Sequence, residues 1–187
     1  MPDVMTQLHE EHRNIARLLE TLERQLALFD TAEDPDYEVI EAIADYFASF
    51  PEQSHHPKED LIYRKMCERD PSLVQAVTDL EAEHVKIGTL AGHFQEAVQN
   101  VLQEVEVSRS AFEEVANHFL RDQRRHLEME EEQFFPLTLK TLTPEDWAEI
   151  DRQVTRHEDP IFGSDVAQKF EALRDAILEW EDEARKG

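Results

Sequence analysis

The chain repeats a pattern in which histidine and glutamate stand inside an apolar helical stripe, and this limits the possible folds more than any other feature. Leu8-x-x-Glu11-His12-x-x-Ile15-x-x-Leu18 recurs as Leu80-x-x-Glu83-His84-x-x-Ile87-x-x-Leu90, with all five fixed positions displaced by 72 residues. His55-x-x-x-Glu59 recurs as His126-x-x-x-Glu130, displaced by 71. Each half therefore reads as a helix carrying one histidine, followed by a helix carrying a His-x-x-x-Glu pair. Recurrent Leu and Ile need mean no more than core packing. Recurrent His and Glu in the same stripe need a further reason, because charged groups are rarely buried unless paired or bound to metal.

The spacing carries chemistry. Residues four apart on a helix share a face, so His55 with Glu59, and His126 with Glu130, reach one small volume. His12 shares a face with Ile15 and His84 with Ile87, so both histidines border the core stripe. Four inward-facing helices of this kind make a His/carboxylate cage, where helical bundles place metal ions. Imidazole with carboxylate suits iron, manganese or zinc.

The rest of the chain is consistent with helices. Only four of 187 residues are Gly, and charged residues make up 33%, a composition typical of helix. Apolar spacing runs from Leu8 to Phe29 in the first segment. Asp34-Pro35 and Asp70-Pro71 read as helix starts, Ser110 with Glu113 as a capping box, and Thr143-Pro144 as the start of a short helix through Trp147 and Ile150. Pro51 and Pro57 should interrupt the second segment, and Pro136 should end the fourth. Ser164 would cap a last helix carrying Val166, Phe170, Leu173, Ile177 and Trp180. The expected fold is all-α: an up-down four-helix bundle with two additional C-terminal helices. It forms one domain over residues 1–187, with the bundle core at about 4–140 and the extension at about 143–187.

Charge and cysteine count exclude several roles. A formal net charge of −24 repels nucleic acid and anionic lipid. No apolar run approaches the ~18 residues of a membrane span. The start, MPDVMTQLHEEHRNI, has neither the basic nor the apolar region of a signal peptide. Cys67 is the only cysteine, so no intrachain disulfide forms and a reducing cytoplasm is expected.

These residues resemble the hemerythrin family, in particular the bacterial hemerythrin-like cation-binding domains. The resemblance rests on Glu11-His12, HHPKED at His55 to Asp60, Glu83-His84, and HLEMEEEQFFP at His126 to Pro136, and it covers roughly residues 5–140. It implies the metal ligands His12, His55, Glu59, His84, His126 and Glu130. One feature departs from it: the oxygen carriers of the family have a second histidine four residues on in the third helix, where this chain has Gly88. His56 is the candidate replacement. Adjacent helical residues diverge by about 100°, so His56 would serve the other metal, helped by the Pro57 distortion. A pairing of His56 with Asp60 is the alternative, and His55 with Glu59 is preferred because it repeats. Gly88 would leave room for a bound ligand or let helices approach.

Two octahedral irons offer twelve positions. Five histidines fill five, two bridging glutamates four, and a bridging oxo or hydroxo group two, leaving one open for O2, peroxide or NO. The resemblance thus implies two iron ions, ahead of manganese or zinc, in one buried site per chain. The expected function is binding of O2 or a related small oxidant for storage, delivery or sensing. The alternatives are an enzyme that turns over peroxide or NO or donates iron for cluster repair, and a structural metal- or partner-binding module. No catalytic residue is assigned. His9 reads as a surface or supporting residue, and HEEH is not the zinc-protease spacing. His93, His118 and His157 read as ordinary histidines, Glu128, Glu131 and Glu132 as a solvated face, and Glu52 and Glu81 as chance neighbours of histidine. Cys67 reads as an idle thiol, and Phe134, Phe135, Trp147 and Trp180 as core.

Overall fold

A computed structural model of the chain describes all residues except 32, 76–78, 106, 156, 157, 165, 167 and 187, and the side chains of 30, 74, 75, 180, 181 and 183–186. The described residues form α1 (Asp3–Ala27), α2 (Tyr37–Phe47), α3 (His56–Arg69), α4 (Leu80–Leu102), α5 (Arg109–Met129), α6 (Phe135–Thr141), α7 (Pro144–Gln153) and α8 (Glu171–Lys186). No strand occurs among them. No helix is long and apolar enough to cross a membrane.

Several helix starts fall a few residues from the positions expected. Asp36, not Asp34, caps α2, and its carboxylate accepts from the amides of Glu38 at 3.0 Å and Val39 at 3.2 Å. Asp70-Pro71 opens only a short 3-10 turn, because the Asp70 carboxylate is occupied locally by the Ser72 amide and hydroxyl. Asp79 caps α4 instead. Ser108 rather than Ser110 caps α5, and Glu113 pairs with Arg109 instead of closing a capping box. Among the described residues Ser164 caps no helix: its hydroxyl donates to Glu158, and α8 begins at Glu171. At α7 the expectation holds, since Thr143 and Asp146 form a reciprocal capping box ahead of Trp147.

The prolines behave differently from expectation. Pro136 does not stop the chain's helical course, which passes through a π-helical turn at Glu130–Phe134 and continues as α6 to Thr141. A second π-helical turn, Pro51–His55, precedes Pro57 in the same way. Proline has no N–H and its ring collides with the preceding turn, so a wider turn just ahead keeps the chain helical. The extra residue in each wide turn also rotates the face beyond it.

Helix α1 packs against α2 and α5, and α4 against α2, α3 and α5, while α7 lies on α1 and α3 and α8 on α1 and α2. Two apolar clusters form. One gathers Ile15, Leu18, Leu19 and Leu22 with Phe94 and Phe119. The other gathers Met5, Leu8, Ile62, Phe134, Phe135 and Trp147. His12 stands between Leu8 and Ile15 along α1, and His84 between Leu80 and Ala91 along α4, so the polar residues fall between the two clusters. Leu18, Leu19 and Leu22 are fully buried, each contributing roughly 1.5–3 kcal/mol of transfer free energy. This apolar surround raises the cost of leaving the charges of the polar layer unbalanced.

Candidate metal centre

The seven residues expected at the site come together, and all are buried: His12, His55, His56, Glu59, His84, His126 and Glu130. His12 comes from α1, His56 and Glu59 from α3, His84 from α4 and His126 from α5. His55 is the last residue of the first π-helical turn, and Glu130 is the first residue of the second. Glu59 lies four residues after His55 and three after His56, so on α3 it stands within reach of both. Two adjacent histidines can therefore serve two different positions around one carboxylate.

The ligand atoms group in overlapping sets. His12, His55, Glu59 and Glu130 each place a ligand atom within 4.8 Å of the others; so do Glu59, His84, His126 and Glu130, and so do His56, His84 and His126. Glu59 and Glu130 belong to both of the first two sets, so those sets overlap at the two carboxylates. His12 Nε2 is 3.4 Å from both Glu59 Oε1 and Glu130 Oε2, His55 Nε2 is 3.4 Å from Glu59 Oε2, and His126 Nε2 is 3.1 Å from Glu130 Oε1. Both oxygens of Glu59, Oε2 of Glu130, Nε2 of His12 and both ring nitrogens of His126 have no hydrogen-bond partner among the described residues. Buried polar atoms are seldom left unsatisfied. Nitrogen–oxygen edges of this size, near the ~3 Å expected for ligand bonds of about 2.1 Å, match a coordination polyhedron. The donor set fits metal ions.

Four of the five imidazoles are held from behind. His12 Nδ1 lies 2.7 Å from Glu131, His55 Nδ1 2.9 Å from Glu11, His56 Nδ1 3.1 Å from Glu52 and His84 Nδ1 2.8 Å from Asp60. Carboxylates so placed fix the ring orientation and direct Nε2 inward. The sequence reading missed most of these. Glu131 is not simply solvated, because it meets both His12 and His9, and Glu52 is not a chance neighbour. Asp60 meets His84 rather than pairing with His56. The missed signal was a carboxylate at helical spacing from an inward histidine, present at Glu52 and His56 and hidden by the many acidic residues. Phe135 is core, as expected, but also stacks on His12 with ring centres 4.9 Å apart. His9 meets Glu131 at the rim, His93 and His118 are exposed, and His157 and the Trp180 side chain lie outside the described residues. Burial pushes the Cys67 thiol up, which makes it less reactive.

Burial and the neighbouring charges act in opposite senses on the cage residues. Burial alone would lower His84, but Asp60, Glu130 and Glu59 outweigh it and push the imidazole up to about 11. Burial works against His12 too, and Glu130, Glu131 and Glu59 hold it well above its usual range. Burial would raise Glu59, yet His55, His12 and His84 hold its carboxyl well below the ordinary range. His126, with burial dominant, is pushed down to about 4. The upward shifts of His12 and His84 favour their protonated forms beside the glutamates when no cation is bound.

Two clefts approach the cage. One of about 390 Å³ is lined by His9, His12, Arg13, Ala16, Leu127, Glu128 and Glu131. The other, about 250 Å³, is lined by Glu83, Arg125, His126, Met129 and Gln133.

An all-helical chain with buried histidine–glutamate clusters of this kind is a metal-binding helical protein. Residues 3–138 match the family model described as the Hemerythrin HHE cation binding domain, and the chain belongs to that family. The comparisons with curated proteins and with solved structures found no match.

Proposed function

We propose that the seven residues hold two metal ions, iron ahead of manganese or zinc, inside an up-down four-helix bundle. The bundle helices would be α1, α2 continued by α3, α4, and α5 continued by α6, with the C-terminal helices packed on it as part of one domain. The observation that carries this reading is the pair of buried ligand sets sharing Glu59 and Glu130. One position takes His12 and His55, and the other takes His56, His84 and His126. The first thus has one protein ligand fewer, and the larger cleft reaches it at His12. A position with spare coordination beside a cleft suits a small ligand such as O2, peroxide or NO. We propose binding of O2 or a related oxidant for storage, delivery or sensing, in a reducing cytoplasm and without nucleic-acid or membrane partners.

Iron held there would supply reversible electron transfer to a bound small molecule. The chain's own residues set the surroundings of that molecule. Phe135 shields His12 from one side. Glu59 and Glu130 would be shared between the two ions, and Glu131, Glu11, Glu52 and Asp60 fix the imidazoles. A second reading, turnover of peroxide or NO, draws support from His9 and Glu131 at the wall of the larger cleft, groups able to hold or pass a proton there.

The test is metal analysis of protein purified without oxygen, with optical spectra before and after air. About two irons per chain, with new near-ultraviolet and visible bands in air, is the expected result. Bands that vanish on degassing favour reversible binding; steady consumption of peroxide or NO favours turnover. Zinc or no metal, with helicity intact, overturns the di-iron reading. Glu130→Ala and His126→Ala should strip metal and keep the helices.

A further inference from the structure

Gly88 lies four residues after His84, on the same face of α4. A Cβ placed there would meet Glu52 Oε1 at 2.6 Å and Glu52 Cδ at 3.2 Å. Real Cβ atoms do not approach an oxygen so closely, so the carboxylate sits where it does only because residue 88 has no side chain. That same oxygen is 3.1 Å from His56 Nδ1. The His56 ring stacks on His84 with centres 4.2 Å apart and planes 10° apart, and it joins His84 and His126 in one ligand set. Gly88 has an ordinary negative φ, so the backbone does not require glycine there.

We propose that Glu52 is the positioning residue for His56 and that Gly88 exists to make room for it, so that the two together set the affinity of the position held by His56, His84 and His126. The inference rests on the two-metal reading above. The Glu52 side chain is 47% exposed and attached to the π-helical turn, so a methyl group at position 88 would push its carboxylate outward into solvent instead of distorting α4. His56 would then lose the acceptor that fixes its tautomer, with Nε2 no longer held toward the metal. Loss of such a partner lowers metal affinity by about 10–100-fold.

The experiment is competitive titration of the purified full chain with cobalt(II) as the probe, read by its visible ligand-field bands, on wild type, Gly88→Ala, Glu52→Ala, Glu52→Gln, the double variant Gly88→Ala/Glu52→Ala, and His56→Ala. The expected result is two ions per chain in wild type. In Gly88→Ala and Glu52→Ala, one of the two ions weakens about 10–100-fold and the other is unchanged. Glu52→Gln, whose amide oxygen still accepts from Nδ1–H, keeps most of the affinity. The double variant is no weaker than Glu52→Ala alone, because no carboxylate is left to displace. The metal-free Gly88→Ala protein melts no lower than metal-free Glu52→Ala, since both lose the same His56 contact and Ala favours helix over Gly, so a merely structural loss is separable. Wild-type affinity in Gly88→Ala, or additive losses in the double variant, overturns the inference while His56→Ala still loses one ion. If His56→Ala keeps both ions, the assignment of His56 as a ligand fails, and the inference fails with it.

Discussion

Glu11 receives His55 Nδ1 on one oxygen and the Lys58 ammonium on the other, and Lys58 is only 2% exposed. Burial would raise Glu11, but His55 and Lys58 hold its carboxyl below the ordinary range. Glu11→Ala should therefore do two things. It leaves a buried ammonium without an anion, which costs roughly 3–5 kcal/mol, and it frees the His55 ring. Chemical denaturation measures the first, and Lys58→Met in the same background should recover part of it. An unchanged denaturation midpoint for Glu11→Ala would refute the assignment. The protons on His12 and His84 give a second expectation. Metal must displace them, so loading at neutral pH should release about two protons per chain, and affinity should rise with pH. Indicator-dye titration during loading checks this, and no release would contradict it. In the metal-free protein the same groups link stability to pH. His84, raised from 6.5 to about 11, contributes fully below its ordinary value, and that contribution is lost as pH rises toward 11. His126, depressed to about 4, contributes above 6.5 and loses that as pH falls through 4. The metal-free melting temperature should accordingly fall in both directions from the neutral range.

At the scale of elements, the helical runs were legible because apolar residues recur at helical spacing, as at Leu8, Ile15, Leu18 and Leu22. Their ends were less so. Asp34, Asp36, Asp70 and Asp79 are all chemically able to cap, and the choice among them depends on which amides the packed chain leaves free nearby. The wide turns were not legible. Pro57 and Pro136 signalled interruption, but whether the chain breaks or widens depends on the helices that hold both sides in place. After α4 the chain leaves the helix through Glu104, whose φ is +56°. That region is costly for a residue with a Cβ and free for glycine. Glu104→Gly should raise stability by about 0.5–1 kcal/mol, the roughly 1–2 kcal/mol cost of a left-handed residue with a Cβ less the backbone entropy that glycine loses, seen as a higher denaturant midpoint with metal binding unchanged. A lower midpoint would mean the Glu104 side chain makes a contact that outweighs the backbone strain.

For the whole molecule, binding two cations to a cage that otherwise holds unpartnered carboxylate oxygens should couple metal to stability. Metal-loaded protein should melt at a higher temperature than chelated protein, with the difference growing with free metal, while far-ultraviolet circular dichroism at room temperature stays largely helical because both apolar clusters are built from side chains other than the candidate ligands. Equal melting temperatures would mean that the cage takes no metal in solution. The C-terminal part lies beyond the family match, yet it joins the same core. Asp159 accepts from the buried Tyr46 hydroxyl at 3.0 Å, and Ile161, Phe170, Leu173 and Ile177 pack in the cluster with α1 and α2. By itself the sequence determined the helical class and six of the side chains that meet, since a 3.6-residue period fixes which residues share a face, and the repeat marked His and Glu on that face twice; His56, outside the repeat, followed only from the family resemblance. Only the tertiary structure decided how those residues group into overlapping sets and which carboxylates brace them. It also set the Glu52 carboxylate in the space that Gly88 leaves open. Those relations join different helices, such as Glu131 to His12, Asp60 to His84, and Glu52 in the space beside Gly88, and spacing within one helix carries no information about what the next helix brings to it.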